Sequence, residues 1–386
     1  MALPLKDYID LAKRRGHSDR YIEEITSYIT NLQANNLPVI FSITHLAICL
    51  NMRVSSVRKI ADLEVEYFDE PKSESHNDPS KERKITEKPY LYFRLRKKNG
   101  GTREIMVPNQ RLKKIQQWIL KYILEKVPLD KVCTGFRKGY SIKENASIHK
   151  GAECVLNIDL LRFFDMITRN RVWGLFKQLG YHPSLAYLFA DLTTAYHKDI
   201  YWNKIKEEGI KELNELGRES SRILPQGAPT SPMISNIICR SLDNRLSKLA
   251  EKCNCKYSRY ADDITFSGGE KNIPTLKLVT QIIEDEGFFI NRDKVRYQYR
   301  GKKQYVTGLS VADETKVRVP RAKKREIRQV IHYCLKYGVK SHQEKTGKSK
   351  KHFREWLMGN IAFIHSIEPE YAKKLFDRAN RIDWAS

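Results

Sequence analysis

Apolar residues in the first part of the chain recur at helical spacing. Tyr21, Ile25 and Ile29 share one face of a helix that Ser18-Asp19-Arg20 can cap; Ser42 to Ala47 opens a second amphipathic helix and Ser55-Ser56-Val57 a third. The period then stops. Residues 69–89 are polar and carry Pro71, Pro79 and Pro89, the marks of a linker or mobile loop. Next, Tyr90–Arg96 reads as a strand, Lys97-Lys98-Asn99-Gly100-Gly101 as a hairpin turn, and Thr102–Val107 as the returning strand that Pro108 ends. A helix follows with Leu112, Ile115, Ile119, Tyr122 and Ile123 on one face. After a glycine-containing loop over 133–150, an apolar strand from Cys154 to Ile158 ends on Asp159. Residues 171–197 read as two helices around Pro183, 198–221 as a charged, exposed insertion, and 232–252 as helical, entered through Ser231-Pro232. Two short strands flank Asp262-Asp263, a helix over 274–286 closes at Gly287, short strands occupy 288–299 and 303–319, and 322–380 is helical and basic.

Composition narrows the class. With 386 residues and 41% hydrophobic content, the chain can form two or three packed units. Its formal charge of +24 makes it self-repelling unless a polyanion neutralises it. Nucleic acid is the leading partner and an anionic membrane surface the rival. No apolar run is long enough to span a bilayer and the start does not resemble a signal peptide, so a soluble, cytoplasmic protein without a membrane partner is expected. The seven scattered cysteines are expected to be reduced thiols.

Three carboxylates carry the candidate chemistry. Asp262 and Asp263 fall at a hairpin turn between Lys256–Tyr260 and Ile264–Ser267, where two like charges repel unless a cation lies between them. Asp159, at the end of a buried strand, also needs a partner or a metal. Taken together they suit a two-metal site for phosphoryl or nucleotidyl transfer, with magnesium sharing its oxygen ligands with substrate phosphates. Between them lies Leu224-Pro225-Gln226-Gly227-Ala228-Pro229-Thr230-Ser231-Pro232, a turn-rich loop suited to lie flat against a base pair and a sugar.

In this order, Asp159 with Phe163-Phe164, Leu224-Pro225-Gln226-Gly227 with Ser231-Pro232, and Tyr260-Ala261-Asp262-Asp263 resemble a reverse transcriptase, and Gly287, Asn291 and Lys294 resemble its next palm motif. Asn145-Ala146-Ser147-Ile148-His149 and Val306-Thr307-Gly308 resemble segments typical of bacterial retron reverse transcriptases. The resemblance runs from about Tyr90 to Val319. It implies an α+β, right-hand polymerase fold: an N-terminal helical region over 1–68, the linker at 69–89, fingers with the start of the palm over 90–158, palm over 159–300 with the insertion near 198–221, and a basic, RNA-binding thumb over 301–386.

The resemblance further implies RNA-directed DNA synthesis with two Mg2+ ions and dNTP substrates. A cognate structured non-coding RNA would serve as template and as primer, through a guanosine 2′-hydroxyl, giving a branched RNA–DNA product (msDNA). Cellular ribonuclease H would trim the template, and an effector (toxin) protein would join the system in antiphage defence. Asp159, Asp262 and Asp263 would be catalytic and, with the Leu160 carbonyl, would hold the metals. Phe164 would exclude a ribonucleotide 2′-hydroxyl and Gln226 would lie against the templating pair or the sugar. Arg103 and Arg96 would grip the triphosphate, unless their hairpin simply touches template backbone. Lys294 would protonate pyrophosphate or be a solvated lysine. Asn145 and His149, one helical turn apart, would face RNA or another region, or else be a capping Asn and a satisfied His. Lys316, Arg318, Arg321, Lys323, Lys324, Arg325, Arg328, Lys350, Lys351 and Arg354, interleaved with Tyr333, Tyr337, Phe353 and Trp356, would bind RNA. The alternatives are another defence or intron-type reverse transcriptase, or an RNA-binding scaffold that restrains a toxic effector.

Overall fold

The computed structural model describes residues 5–62, 89–96, 102–197, 222–346 and 352–384. The expected hairpin turn at 97–101, the insertion at 198–221, Lys350, Lys351 and all but the last residue of the linker at 69–89 lie outside them. The chain divides into two compact units, Met1–Asp130 with Arg162–Ser241, and Lys131–Leu161 with Leu242–Ser386. No described helix is long and apolar enough to cross a membrane.

The first unit begins with α1 (Leu5–Arg14), α2 (Asp19–Ala34), α3 (Ile43–Leu50) and α4 (Val54–Asp62). Ser18 and Ser42 cap α2 and α3 as their positions suggest, each hydroxyl accepting a backbone N–H from the first turn. On α2 the buried stripe is Ile22, Ile29 and Leu32, so the predicted Tyr21 lies just off it and is exposed. Strands β1 (Tyr90–Arg96) and β2 (Thr102–Pro108) pair antiparallel, from Tyr90 opposite Pro108 to Arg96 opposite Thr102. Helix α5 (Gln110–Tyr122) starts at Asn109, whose Oδ1 accepts from Leu112 N–H at 2.9 Å. It buries Leu112, Ile115, Gln116 and Ile119; Tyr122, placed on that face by the hydrophobic count, is exposed. Gln116 takes the inward position because its Nε2 donates to Tyr90 Oη at 2.8 Å and to the Leu192 carbonyl at 2.9 Å.

The first unit continues through α7 (Arg169–Gln178), α8 (Pro183–Thr193) and α9 (Ser231–Ile238). Phe176 and Tyr181 pack on Phe189, with ring centroids 5.1 Å apart in each pair. The Tyr181 hydroxyl donates to the Pro38 carbonyl at 3.0 Å, tying the turn between α7 and α8 to the segment between α2 and α3.

The second unit holds α6 (Ile142–Ser147), α10 (Arg240–Lys252, in this unit from Leu242), α11 (Leu276–Asp285) and a four-stranded antiparallel sheet. The sheet order is β4 (Lys256–Tyr260), β5 (Asp263–Gly268), β3 (Cys154–Asp159), β6 (Arg296–Tyr299). β3 is nearly continuous in burial and has a strand paired on each side. The short pair β7 (Tyr305–Val306) and β8 (Leu309–Ser310) leads to helices α12 (Arg321–Tyr337), α13 (Val339–Thr346), α14 (Phe353–Ile367) and α15 (Pro369–Ala379). Their inner faces share one core: Ile327, Ile331, Leu357, Ile361, Ile364 and Leu375. Spacings of three and four residues turn those side chains inward and leave most of the basic positions outside.

Candidate active site

The register of the sheet brings two of the three carboxylates together. Asp159, last in β3, is directly opposite Asp263, first in β5, so both side chains leave the same face. Asp262 precedes Asp263 in the turn, and its carbonyl accepts the Leu160 N–H at 2.9 Å. On the other side of Asp159, its carbonyl accepts from Asn291 N–H at 2.8 Å, and Leu161 N–H donates to the Phe289 carbonyl at 2.7 Å. Both ends of the carboxylate-bearing segment are therefore pinned by backbone.

The turn is braced from behind. Ala261 has φ +58°, a left-handed conformation that costs a non-glycine residue about 1–2 kcal/mol. Two contacts oppose that cost. The fully buried Arg259 donates from one guanidinium nitrogen to the Ala261 carbonyl at 3.0 Å. Its other nitrogens form a two-pronged pair with Asp243, at 2.8 and 2.7 Å. The Tyr257 hydroxyl adds a third donor to Asp243 at 2.8 Å. From the other direction Gly135 packs so closely that a Cβ there would lie 2.5 Å from Ala261 N. Arg259 escaped the sequence reading, yet its parity with the buried Tyr257 marks it as inward-facing.

The electrostatics of the three aspartates are those of an anion cluster. Asp263 is exposed in the turn, yet the surrounding protein, then Asp262 and Asp159, push its carboxyl up to about 7, against the pull of Lys294. Lys294 Nζ lies 2.6 Å from Asp159 Oδ1. Among the described residues no three acidic, histidine or cysteine side chains converge tightly enough to hold an ion by themselves. The donors are nonetheless all hard oxygens, and the repulsion that raises Asp263 is what a divalent cation relieves. The set fits magnesium whose remaining ligands come from a triphosphate.

Four predicted nucleotide-binding residues belong to the first unit. Phe164 is half-buried, edge-on to Phe163 with centroids 5.4 Å apart. Gln226 is half-buried in its loop, and its carbonyl accepts from Met106 N–H of β2 at 2.7 Å. Gly227 has φ +118°, and a Cβ there would meet the Met106 carbonyl at 2.8 Å, so only glycine lets the loop lie on β2. Arg96 and Arg103 are exposed on β1 and β2.

Asn145 and His149 correct an expectation. Both are fully buried, so neither offers its side chain to RNA. They enter one hydrogen-bond chain with the sheet. Ser258 of β4 donates its only proton to Asn145 Oδ1 at 2.7 Å. Its oxygen must then accept from His149 Nε2–H at 2.7 Å, which leaves Nδ1 to accept from the Ser267 hydroxyl of β5 at 2.6 Å. Burial, then Lys256, hold the imidazole neutral, with a pKa of about 3. Thr134 also donates to Asn145 Oδ1, at 2.7 Å, and Asn145 Nδ2 reaches Thr307 Oγ1 at 3.5 Å. The two segments beside the sheet and both strands of the Asp262-Asp263 hairpin are thus joined by side chains.

Two predicted RNA-binding cations have acidic partners within the protein. Lys324 pairs with both oxygens of the largely buried Glu368 carboxylate, at 2.9 and 3.0 Å. Arg318 pairs with Asp313 at 2.8 Å. Both hold this region's own structure. Lys323 lies 5.7 Å from the Trp356 ring and Arg354 5.5 Å from the Trp384 ring. Lys316 and Arg321 are exposed. Arg325 and Arg328 line a cavity of about 310 Å3 with Gln329, His332, Tyr333 and Arg378.

Comparison with known proteins agrees with this geometry. Residues 95–357 match the family described as reverse transcriptase (RNA-dependent DNA polymerase). The chain is 33% identical to the retron Mx162 reverse transcriptase of Myxococcus xanthus, over 87% of this chain and 66% of the relative. It is 35% identical to the retron Mx65 reverse transcriptase of the same organism, over 75% and 64%. With the retron Ec86 reverse transcriptase of Escherichia coli it shares 33% identity over 76% of this chain and 81% of the relative. The match spans about two-thirds of the length of the two Myxococcus relatives.

Proposed function

The chain belongs to the reverse transcriptase family, among the retron enzymes and with their α+β right-hand polymerase fold, and from that premise we propose that it copies RNA into DNA. The observation that carries the reading is Asp159 opposite Asp263 with Asp262 alongside, an anion cluster at the ends of adjacent strands. Fingers occupy 90–158 with the start of the palm, the palm 159–300, and an RNA-binding thumb 301–386.

Asp159, Asp262 and Asp263, with the Leu160 carbonyl, would hold two Mg2+ ions. When bound, these ions lower the cost of activating the attacking oxygen and of charge on the leaving one. The protein's own part is positional. The backbone bonds around Asp159 and the Arg259 brace keep the carboxylates in place before substrate arrives. Lys294, already on Asp159, supplies a mobile cation able to follow the charge to pyrophosphate and give it a proton. Phe164 presents a hydrocarbon wall to the 2′ position of the sugar, Gln226 supports the templating pair, and Arg103 and Arg96 grip the triphosphate.

The template and primer are one structured non-coding RNA, extended from a guanosine 2′-hydroxyl to branched msDNA. In the cytoplasm, ribonuclease H trims the template and an effector protein completes an antiphage system. Lys316, Arg321, Lys323, Arg325, Arg328 and Arg354 provide thumb contacts to the RNA backbone, with Lys350 and Lys351 in the same stretch of sequence.

The test is to express the gene with its flanking DNA and isolate small nucleic acids from cells carrying wild type or an Asp262→Asn, Asp263→Asn double variant. DNA joined to RNA until debranched, absent from the variant, is the expected result. Unbranched DNA would remove the retron priming step. The same product from the variant would remove the assignment of the aspartates.

A further inference from the structure

A short segment beside the sheet carries an aromatic ring to the turn that holds the aspartates. Val132 to Gly135 runs parallel to β4 along its outer edge. Arg259 N–H donates to the Val132 carbonyl and Thr134 N–H to the Arg259 carbonyl, both at 2.9 Å. Gly135 then reaches the turn, where a Cβ would lie 2.5 Å from Ala261 N. Phe136 is the next residue and so arrives level with Asp262-Asp263. Its ring centroid is 6.3 Å from that of Tyr260, with the planes tilted by 42°.

Phe136 breaks two local rules. Its φ is +55°, a left-handed backbone that crowds a Cβ and is rare for a bulky side chain. Its side chain is wholly apolar, yet the residue is 47% exposed. Glycine would adopt this backbone without strain, and a polar residue would suit the exposure. Strain kept at an exposed apolar residue beside catalytic carboxylates marks a contact that is completed by something outside the chain. Arg137 and the exposed Lys138 follow directly. A flat apolar surface with cations at the next two positions suits a nucleotide, the ring meeting base and sugar and the cations meeting phosphate.

The order of the sheet selects which nucleotide this is. Lys294 reaches Asp159 of β3 from the turn before β6, Asp263 of β5 pairs with Asp159 on one side and with Tyr260 of β4 on the other, and Phe136 lies beyond β4. An in-line displacement puts the attacking and leaving oxygens on opposite sides of the phosphorus. With pyrophosphate leaving toward Lys294, the attacking oxygen approaches from the β4 side. We propose that Phe136 is a positioning residue for the priming nucleotide: its ring packs against the base and sugar of the nucleotide whose hydroxyl attacks, and holds that hydroxyl at the aspartates. This inference rests on the polymerase function proposed above, in which Phe136 has no part.

The experiment measures single-nucleotide extension of an RNA primer annealed to an RNA template by the full chain with Mg2+. Primer–template is titrated at saturating dNTP, and dNTP at saturating primer–template. Phe136→Gly and Phe136→Asn remove the ring and suit a left-handed backbone, whereas Phe136→Tyr keeps the ring. The glycine and asparagine variants should lose about tenfold in kcat/KM for primer–template, the share of one aromatic contact to a nucleotide, with the dNTP KM within about twofold of wild type. The tyrosine variant should match wild type in both titrations. The Tm of the glycine variant should equal or exceed that of wild type, because the strain is gone while little packing is lost. Wild-type kcat/KM in the glycine and asparagine variants would overturn the proposal. A glycine variant that melts below wild type, with activity lost to match, would make the ring a packing residue of the turn and also overturn it. So would a rise in dNTP KM equal to the loss against primer–template, which would move the ring to the incoming nucleotide. Failure of wild type to extend any primer would remove the polymerase reading and this inference with it, whereas normal extension by both wild type and the glycine variant would remove this inference alone.

Discussion

Replacing His149 by alanine tests whether the sheet that carries the aspartates is held by the buried hydrogen-bond chain. The imidazole joins Ser258 of β4 to Ser267 of β5, and all three side chains are buried. Its loss leaves the Ser267 hydroxyl without its acceptor, at about 1–3 kcal/mol, takes one accepted bond from Ser258, which still donates to Asn145, and opens a cavity, so the variant should lose about 2–5 kcal/mol at pH 7. A pH dependence separates this from generic destabilisation. In the folded protein the His149 pKa is lowered to about 3, whereas an unfolded histidine titrates near 6.5. As pH falls below 6.5 the unfolded chain takes up a proton that the folded chain refuses. The stability from burying a neutral ring is therefore complete above pH 6.5 and is lost on the way down to pH 3. Between pH 7 and pH 5 this amounts to about 2 kcal/mol.

The alanine variant lacks that titration, so its deficit against wild type should shrink by about 2 kcal/mol between pH 7 and pH 5. For a unit of this size that is roughly 4–8 °C in Tm. His197 is likewise held near pKa 3 by burial, but it contributes equally to both proteins and cancels. Melting curves at the two pH values provide the assay, and hydrogen exchange of the β4 and β5 amides shows which transition belongs to this sheet. Parallel Tm–pH lines for the two proteins would refute the neutral, doubly bonded histidine.

Three further outcomes follow from the same geometry. Arg259→Met leaves Asp243 charged and buried with Tyr257 as its remaining donor, and should cost about 3–5 kcal/mol in denaturant unfolding, whereas a loss below 1 kcal/mol would mean that the pair does not brace the turn. Phe164→Ala should raise ribonucleotide incorporation relative to deoxyribonucleotide in primer extension; an unchanged ratio would remove it from sugar selection. Arg103→Ala should raise the dNTP KM about tenfold or more, the loss of a charge-assisted phosphate bond, while an unchanged KM would place the hairpin on template backbone instead.

The carboxylates were legible because strand alternation is local. Asp159 closes an apolar run and Asp262-Asp263 sits between two alternating ones, so each position follows from a few neighbouring residues. Their convergence was not local. It depends on the pairing of β3 with β5, more than 100 residues apart, and came from the resemblance of the motifs.

Three polar residues at inward positions share one physical source, Lys324 read as an RNA contact and Gln116 and Arg259 passed over. Gln116 falls on the stripe of Leu112, Ile115 and Ile119; Arg259 has the parity of Tyr257; Lys324 stands three residues before Ile327, in line with Ile331. In each case the period pointed inward and the side-chain chemistry pointed outward. Burial without a partner costs several kcal/mol, so a polar residue can follow the period only where the fold supplies a partner. Gln116 has Tyr90 and the Leu192 carbonyl, Arg259 has Asp243, and Lys324 has Glu368. All of these partners are distant in sequence, so counting hydrophobic residues cannot find them. The period can, provided that a polar residue on a buried stripe is taken as a search for its partner and not as a break in the stripe. For Asn145 and His149 the same rule selects the buried network over an RNA contact, because Ala146 between them is core and the segment packs directly against β4.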